Sequence, residues 1–462
     1  MRMHRVLLVV ALGVGGVMTT GVATSATTVP PDDTAAPDSA PPEEAAPATV
    51  PTEWDVEATG SCDGGPMTMW ERSGGNAQMV DALVAAWNQV YPDCQIELTY
   101  IVHAEMVPQL ARGIETGDVP DLMGLDLIYG PQFTSAGQLQ DITDLIGDDP
   151  LAANIVEGHR SVATWDDRLY GVPLYADVSL LFQNRALFEQ AGLDPDVAPT
   201  NLQELHDMAA AINDPENGVY GYYLAGNCSG CNIFTFAPLI WASGGTIEPA
   251  ECGDEALVGD SIPTVLEWAR MMHQEGLIDP AAQAENGETF ANVFGSGNTG
   301  IMGTGNFNVF LAKQQNPDID LSVALLPGLE SGQTASFAGG DIVTVPMGSD
   351  RLEDAVEFMK FILSDQVQEN VYMRLGNLPT RSDVEPVYDD PDVADTLQAL
   401  SVAQTPFTLK FFELINSPQS PWLQMLQRVY YTDEPIDEII AETKAQMEEI
   451  ICEGAEAPAT TG

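Results

Sequence analysis

Residues 165–194, WDDRLYGVPLYADVSLLFQNRALFEQAGLD, decide the fold. A polar turn leads into an apolar extended run, and an amphipathic helix follows that stops at a glycine. Leu169 to Pro173 mixes strand formers with turn residues. Val178 to Phe182 is a short unbroken apolar run, of the length expected for a strand covered on both faces. Leu187, Phe188 and Ala191 share one helical face, and Gly192 supplies a left-handed stop. Between the two extended pieces lie Tyr175, Ala176 and Asp177. A buried strand changing direction there would cross between two lobes, and would set a stacking ring and a hydrogen-bond acceptor in the cleft.

Around this stretch the chain is long, 462 residues with 45% apolar, enough for two domains with full cores. Its 16 Lys and Arg against 69 Asp and Glu leave a net charge of −53. Nucleic acid is argued against, because little here could neutralise phosphates. The balance suits a solvated acidic surface in salty surroundings, where screening tempers self-repulsion; binding of divalent cations is the competing use of so many carboxylates.

Arg2, His4 and Arg5 precede an apolar run from Val6 to Met18 and small residues through Ala26, the order of a secretory signal peptide over residues 1–26. The run falls short of the ~20 residues of a membrane span, so a retained anchor is the second reading. Residues 27–60 are rich in Pro, Ala, Thr and Glu, and are expected to be a disordered linker. Six cysteines in an exported chain point to disulfides, with roughly 15 possible pairings. Cys62 and Cys94 each precede an apparent strand, and those strands would be parallel neighbours whose starts could meet. Cys228, Cys231 and Cys252 cluster in one stretch, and Cys452 ends the last helix. The C-x-x-C at 228–231 has no histidines at ligand spacing. It reads as a local bridge in preference to redox or zinc chemistry, and no metal or other cofactor is expected.

Taken in order, Met67 to Trp70 reads as a strand, residues 72–76 as a loop, 77–90 as a helix and 95–101 as a strand. That βαβ unit predicts a parallel sheet, with ligands beyond the carboxyl ends of the strands, near Trp70, Glu71 and the Gly74-Gly75 loop. Trp70 reads equally well as core. A helix over 103–116 ends at Gly117, and the next strand leads to Asp126 and Tyr129; Asp126 could equally cap the following turn. Gly295 to Gly300 satisfies G-x-G-x-x-G, but a helix over 288–294 is expected before it and a strand after, the reverse of a dinucleotide fold. A long amphipathic helix is expected over 355–372, and a frayed tail over 454–462.

The "LYGVP" turn, the apolar strand ending in Gln183-Asn184, then "ALFEQAGLD", Pro199-Thr200 and "NLQELHDMAAAI" resemble extracellular solute-binding proteins of ABC importers, the sugar-binding group similar to maltose-binding proteins. The resemblance runs from Cys62 to Cys452. It implies an α/β fold, periplasmic-binding-protein-like type II, with two lobes each carrying a mostly parallel sheet flanked by helices. Lobe 1 would hold residues 61–176 and 328–378, and lobe 2 residues 177–327 and 379–453. By the same resemblance Phe234 stands where an aromatic packs on a sugar ring, with Trp241 a looser choice whose helical spacing also suits the core. Asn306 and Phe307 follow "GIMGTG" where relatives place an aromatic contact. Gly339, Gly340 and Asp341 open a strand at the cleft edge, where glycines let backbone approach a ligand. Trp422 aligns with a sugar-stacking tryptophan, and Pro421 before it suggests a helix start that suits an exposed ring; core packing is the competing reading.

These residues supply rings for apolar sugar faces and planar polar groups for hydroxyls. The function implied is a non-catalytic carrier that closes on a carbohydrate by hinges at 176–178, 326–328 and 378–380, and then docks on the transmembrane subunits of an ABC permease. A secreted monomer without a lipid anchor is expected, since the first mature cysteine, Cys62, lies far from any cleavage site. The competing functions are a binder of a cationic solute such as a polyamine, and a secreted glycoside hydrolase. No G-x-S-x-G, H-E-x-x-H or histidine cluster is present, so no catalytic residue is assigned.

Overall fold

The computed structural model describes residues 53–73, 76–146, 149–287, 289–384 and 391–453. The expected signal peptide, linker residues 27–52, Gly74, Gly75, Glu288 and the tail 454–462 lie outside them. Residues 53–60, expected to end the linker, are packed instead. Trp54 and Val56 are buried, and the Trp54 backbone exchanges two hydrogen bonds with the Gln89 side-chain amide. An indole is the apolar area that the preceding stretch lacks.

The expected βαβ unit is present as β1 (Met67–Arg72), α1 (Ala77–Val90) and β2 (Ile96–Ile101), with β1 and β2 parallel in register from Met67 opposite Ile96. The Asn76 side chain caps α1, which buries Val80, Leu83, Val84 and Trp87. Helix α2 (His103–Thr116) stops at Gly117, φ 76°, and β3 (Leu122–Asp126) joins β1 in parallel. After α3 (Glu157–Val162) comes β4 (Gly171–Asn184), 14 residues long and unbroken. The expected change of direction at Tyr175–Asp177 thus falls inside one continuous strand, just after a register shift opposite Tyr175 and Pro173. The strand exchanges neighbours instead: up to Val178 it pairs with β9 (Thr334–Thr344), and from Ser179 onward with β6 (Thr299–Gly305) and β7 (Leu321–Ala324). Asn184 caps α4 (Arg185–Ala191), Gly192 ends it left-handed, and α5 (Leu202–Ile212) follows. Strand β5 (Tyr220–Tyr223) and the short helices α6 (Cys231–Thr235) and α7 (Ala237–Ala242) lead toward β6. Helix α8 (Phe307–Gln315) comes directly after β6.

The sheet runs β2-β1-β3-β9-β4-β6-β5. Its two ends are parallel ladders and its middle, where β9 and β4 pass, is antiparallel. The helix expected over 288–294 is only two short 3₁₀ turns, Phe290–Asn292 and Phe294–Ser296, within the described residues. The helix expected to 372 ends as α9 (Leu352–Leu363), because Ser364 adopts an extended ψ of 149°. The last helices are α10 (Pro421–Tyr431) and α11 (Ile436–Cys452). Disulfides join Cys62 to Cys94, Cys228 to Cys231 and Cys252 to Cys452. Among the described residues no helix is long and apolar enough to cross a membrane.

Candidate functional site

Strands β1, β3, β4 and β9 bring carboxylates to one point of the sheet. Asp341 on β9 stands opposite Asp126 on β3 and Tyr175 on β4, while Gly339 stands opposite Asp177. Arg72, the last residue of β1, reaches among them. Its Nε lies 2.9 Å from both Asp341 oxygens, and its Nη2 donates to Asp341 at 2.6 Å and to the Tyr175 hydroxyl at 3.0 Å. Its Nη1 is 3.6 Å from Asp126. Asp126 also caps the turn after β3, accepting from the Ile128 amide at 3.4 Å, so the capping reading and the cleft reading meet in one side chain.

Burial sets the charge state of each group. Asp341 is fully buried, which alone would raise its pKa, yet the bidentate Arg72 guanidinium holds its carboxyl below the usual carboxylate range. Glu71 is 1% exposed and is pushed well above the usual range, first by burial and then by the Asp341 carboxylate. Its carboxyl lies over Gly124, where any Cβ would collide with it. Asp177 is pushed up to about 7 by burial, against the pull of Arg72, and its Oδ1 is enclosed without a hydrogen-bond partner among the described residues. Gly339 leaves room for that oxygen, and Gly340 adopts φ +112° against the Tyr175 carbonyl. Below them His159 of α3 is fully buried and pushed down to about 4 by desolvation, so it is neutral. Its Nε2, 3.1 Å from the Tyr175 carbonyl, must carry the proton.

A second group lies along β6, α6 and α8. Phe234 meets Phe307 edge-to-face at 5.6 Å and Phe337 at 4.8 Å, and Trp241 tilts against Phe337 at 6.4 Å. Phe234 and Phe307 are only partly buried, whereas Trp241 is buried. Asn306 ties the two groups together: its amide donates to the Val178 carbonyl and its Oδ1 accepts from the Val178 amide, both at 2.9 Å. Tyr129 is buried, and its hydroxyl accepts from Asn416 at 3.1 Å.

The structure thus brings Glu71, Asp126, Tyr175, Asp177, Gly339, Gly340 and Asp341 together, and separately Phe234, Trp241 and Phe307. Trp70 is half-buried against the core on β1. Trp422 differs from the exposed ring that the helix start suggested. Helix α10 does begin at Pro421, but the indole is 0% exposed and packs on the buried Phe236 at 6.2 Å. Arg72 and His159 were not legible as site residues. The signal for Arg72 is its scarcity, a cation beside Glu71 in a chain with 16 basic residues. A separate open groove of about 830 Å³, lined by Gln183, Arg185, Thr200, Asp320, Ser322 and Gln398 among others, lies toward the far end of β4 and shares no residue with either group.

Residues 74–369 match the family described as "Bacterial extracellular solute-binding protein". The chain belongs to this family. As a solute-binding protein it is 24% identical over 334 residues to the arabinooligosaccharide-binding protein of Bacillus subtilis, covering 69% of this chain and 74% of that one. It is 23% identical over 279 residues to the diacetylchitobiose binding protein of Streptomyces coelicolor, covering 59% and 63%. Its fold matches the sugar-binding protein MalE of Xanthomonas citri with a TM-score of 0.72 at 20% identity, over 84% of this chain and 98% of that one. The cyclic alpha-maltosyl-1,6-maltose binding protein of Arthrobacter globiformis gives 0.71 at 23% identity, over 84% and 99%. The α/β fold of this solute-binding protein is that of the type II periplasmic sugar-binding proteins, and the family location is extracytoplasmic.

Asp177 gives the solute-binding protein a testable pH signature. Its folded pKa, about 7, lies above the ~3.9 of an unfolded aspartate. The folded state therefore binds the extra proton between those values, so this group's contribution to stability falls as pH rises from about 4 to 7 and is level above. Asp177→Asn removes that fall, and should be the more stable protein above pH 7 by about 2–4 kcal/mol, the gap closing near pH 4. Urea midpoints of both proteins across that range check it; parallel curves would assign Asp177 an ordinary pKa.

Proposed function

We propose that the protein is the solute-capturing component of an ABC-type sugar importer, closing on a mono- or oligosaccharide and delivering it to a membrane permease as a non-catalytic, monomeric carrier. One observation carries the reading: Asn306, next to Phe307 of the partly buried Phe234–Phe307 pair, is hydrogen-bonded to the backbone of Val178, next to Asp177, at the place where β4 exchanges β9 for β6. Flat apolar faces next to planar acceptors match a pyranose, whose C–H faces are apolar and whose rim is hydroxyls. Residues 61–176 with 328–378 would form one lobe, and 177–327 with 379–453 the other. All three disulfides then fall inside a lobe, so none opposes opening. The relatives named above carry oligosaccharide names, which favours a saccharide over a polyamine.

A thermal-shift screen against mono- and oligosaccharides, with spermidine alongside, tests this. A saccharide at ~100 times its dissociation constant adds about 2.7 kcal/mol and raises the midpoint. No shift with any saccharide, together with a shift by spermidine, would overturn the reading. With the best saccharide in hand, Phe307→Ala should weaken binding about tenfold and leave the oligosaccharide chain intact after prolonged incubation. An unfolded variant, or one that keeps full affinity, would place that ring in the core.

A further inference from the structure

The charge balance of the site goes further than a saccharide of unspecified kind. Four carboxyl groups, Glu71, Asp126, Asp177 and Asp341, gather around one guanidinium. Arg72 commits Nε and Nη2 to Asp341 and Tyr175, and its Nη1 stands 3.6 Å from Asp126. An anionic sugar would therefore meet four carboxyl groups and a guanidinium already engaged with two of them. Meanwhile Asp177 holds an enclosed Oδ1 that no donor among the described residues satisfies, although a buried carboxylate oxygen left without a donor is unfavourable. The adjoining Gly339 keeps side-chain bulk away from it. Among the described residues the carboxyl groups placed here outnumber Arg72, and at neutral pH Asp177, pushed up to about 7 by burial, is partly ionised. A donor that is also positive answers both the missing hydrogen bond and the missing charge.

We propose that the solute carries a free amino group, an aminosugar unit of the glucosamine kind, whose ammonium docks against Asp177 within the negative field of Asp126 and Asp341. This rests on the saccharide reading of the same site. The ring faces would still lie on Phe234 and Phe307, and the amine would select among saccharides of equal shape.

Calorimetric titration of the intact protein near neutral pH, with three probes of matched length, tests it: a β-linked glucosamine disaccharide, its N-acetylated counterpart, and a hexuronate disaccharide. The amine form should bind about tenfold more tightly than the acetamide, and the uronate should not bind. Asp177→Asn should bring the amine-to-acetamide ratio close to one, and salt should shrink that ratio in the unmodified protein. Acetamide binding equal to or tighter than amine, or uronate binding comparable to either, overturns the amine assignment and leaves the saccharide reading standing. Failure of all three together with every neutral saccharide overturns both.

Discussion

Arg72→Met should cost about 3–5 kcal/mol of folding free energy, the scale for stripping one partner from a buried ion pair. The methionine fills a similar volume but leaves Asp341, fully buried on β9, without the guanidinium that binds both its oxygens. Tyr175 loses its hydroxyl partner in the same step. The sign with pH follows from Asp341. Its pKa is depressed in the folded protein, so the stability it contributes is present above the ~3.9 of an unfolded aspartate and is lost as pH falls through the folded value. In the variant that carboxyl would take up a proton on folding, so the variant gains stability as pH falls toward about 4, and the gap to the unmodified protein narrows over that range and further below it as the original loses the contribution of Asp341. The double variant Arg72→Met with Asp341→Asn should be less destabilised than the sum of the singles, with a coupling of about 2 kcal/mol or more. Urea unfolding of the four proteins reads this directly. An Arg72→Met protein within about 0.5 kcal/mol of the original would mean that the pair contributes nothing to the fold.

That this pair escaped the sequence reading has a physical cause. Helices α1 and α2 are local objects: a 3.6-residue stripe, an Asn76 cap and a Gly117 stop give their limits without reference to the rest of the chain. Strand β4 is harder, because Pro173 and Asp177 interrupt an apolar pattern that continuous pairing with β9 and then β6 overrides. Arg72 looked like the start of a loop because glycines follow it, and only the parallel ladder to Ile101 extends β1 that far. Its partner lies 269 residues away, at a separation no local pattern encodes. Trp422 is the opposite case. Met425, Leu426 and Val429 stand at helical spacing from it and share its burial, so the inward face was readable once Pro421 fixed the helix start. Resemblance favoured the ring as a ligand contact; the stripe placed it in the core. That the carboxylates would lie near one another was expected from the sequence, and the pairing of β9 with β4 and β3 does set Asp126, Asp177 and Asp341 together. Their protonation states were not legible, because those depend on burial and on neighbours from four strands.

The second large effect should come from the disulfide between Cys252 and Cys452. Closing a chain in the unfolded state lowers its entropy by an amount that grows with the logarithm of the loop. The separations here are 200 residues for Cys252–Cys452, 32 for Cys62–Cys94 and 3 for Cys228–Cys231. Replacing each pair by alanine should then cost roughly 5, 4 and 2 kcal/mol in that order. For the longest loop the native state offers a partial substitute: Lys410 donates to the carbonyls of Ile450 at 2.7 Å and of Glu453 at 2.6 Å, holding the C-terminal end of α11. The helix should therefore stay docked in the Cys252→Ala, Cys452→Ala protein, and the loss should be paid almost wholly through a more disordered unfolded chain. Two measurements separate this from a local unravelling of α11. Urea unfolding should show the full loss in a single transition, while amide exchange of residues 436–452 under native conditions should slow or quicken only in step with global stability. Adding Lys410→Met to the bridge variant should free the helix end and quicken exchange there first. Because both cysteines belong to the same proposed lobe, saccharide affinity of the bridge variant should match the original wherever the protein is folded. A ranking in which the short Cys228–Cys231 loop matters most would instead assign the stabilisation to native packing around Phe234, and would make that bridge part of the binding apparatus.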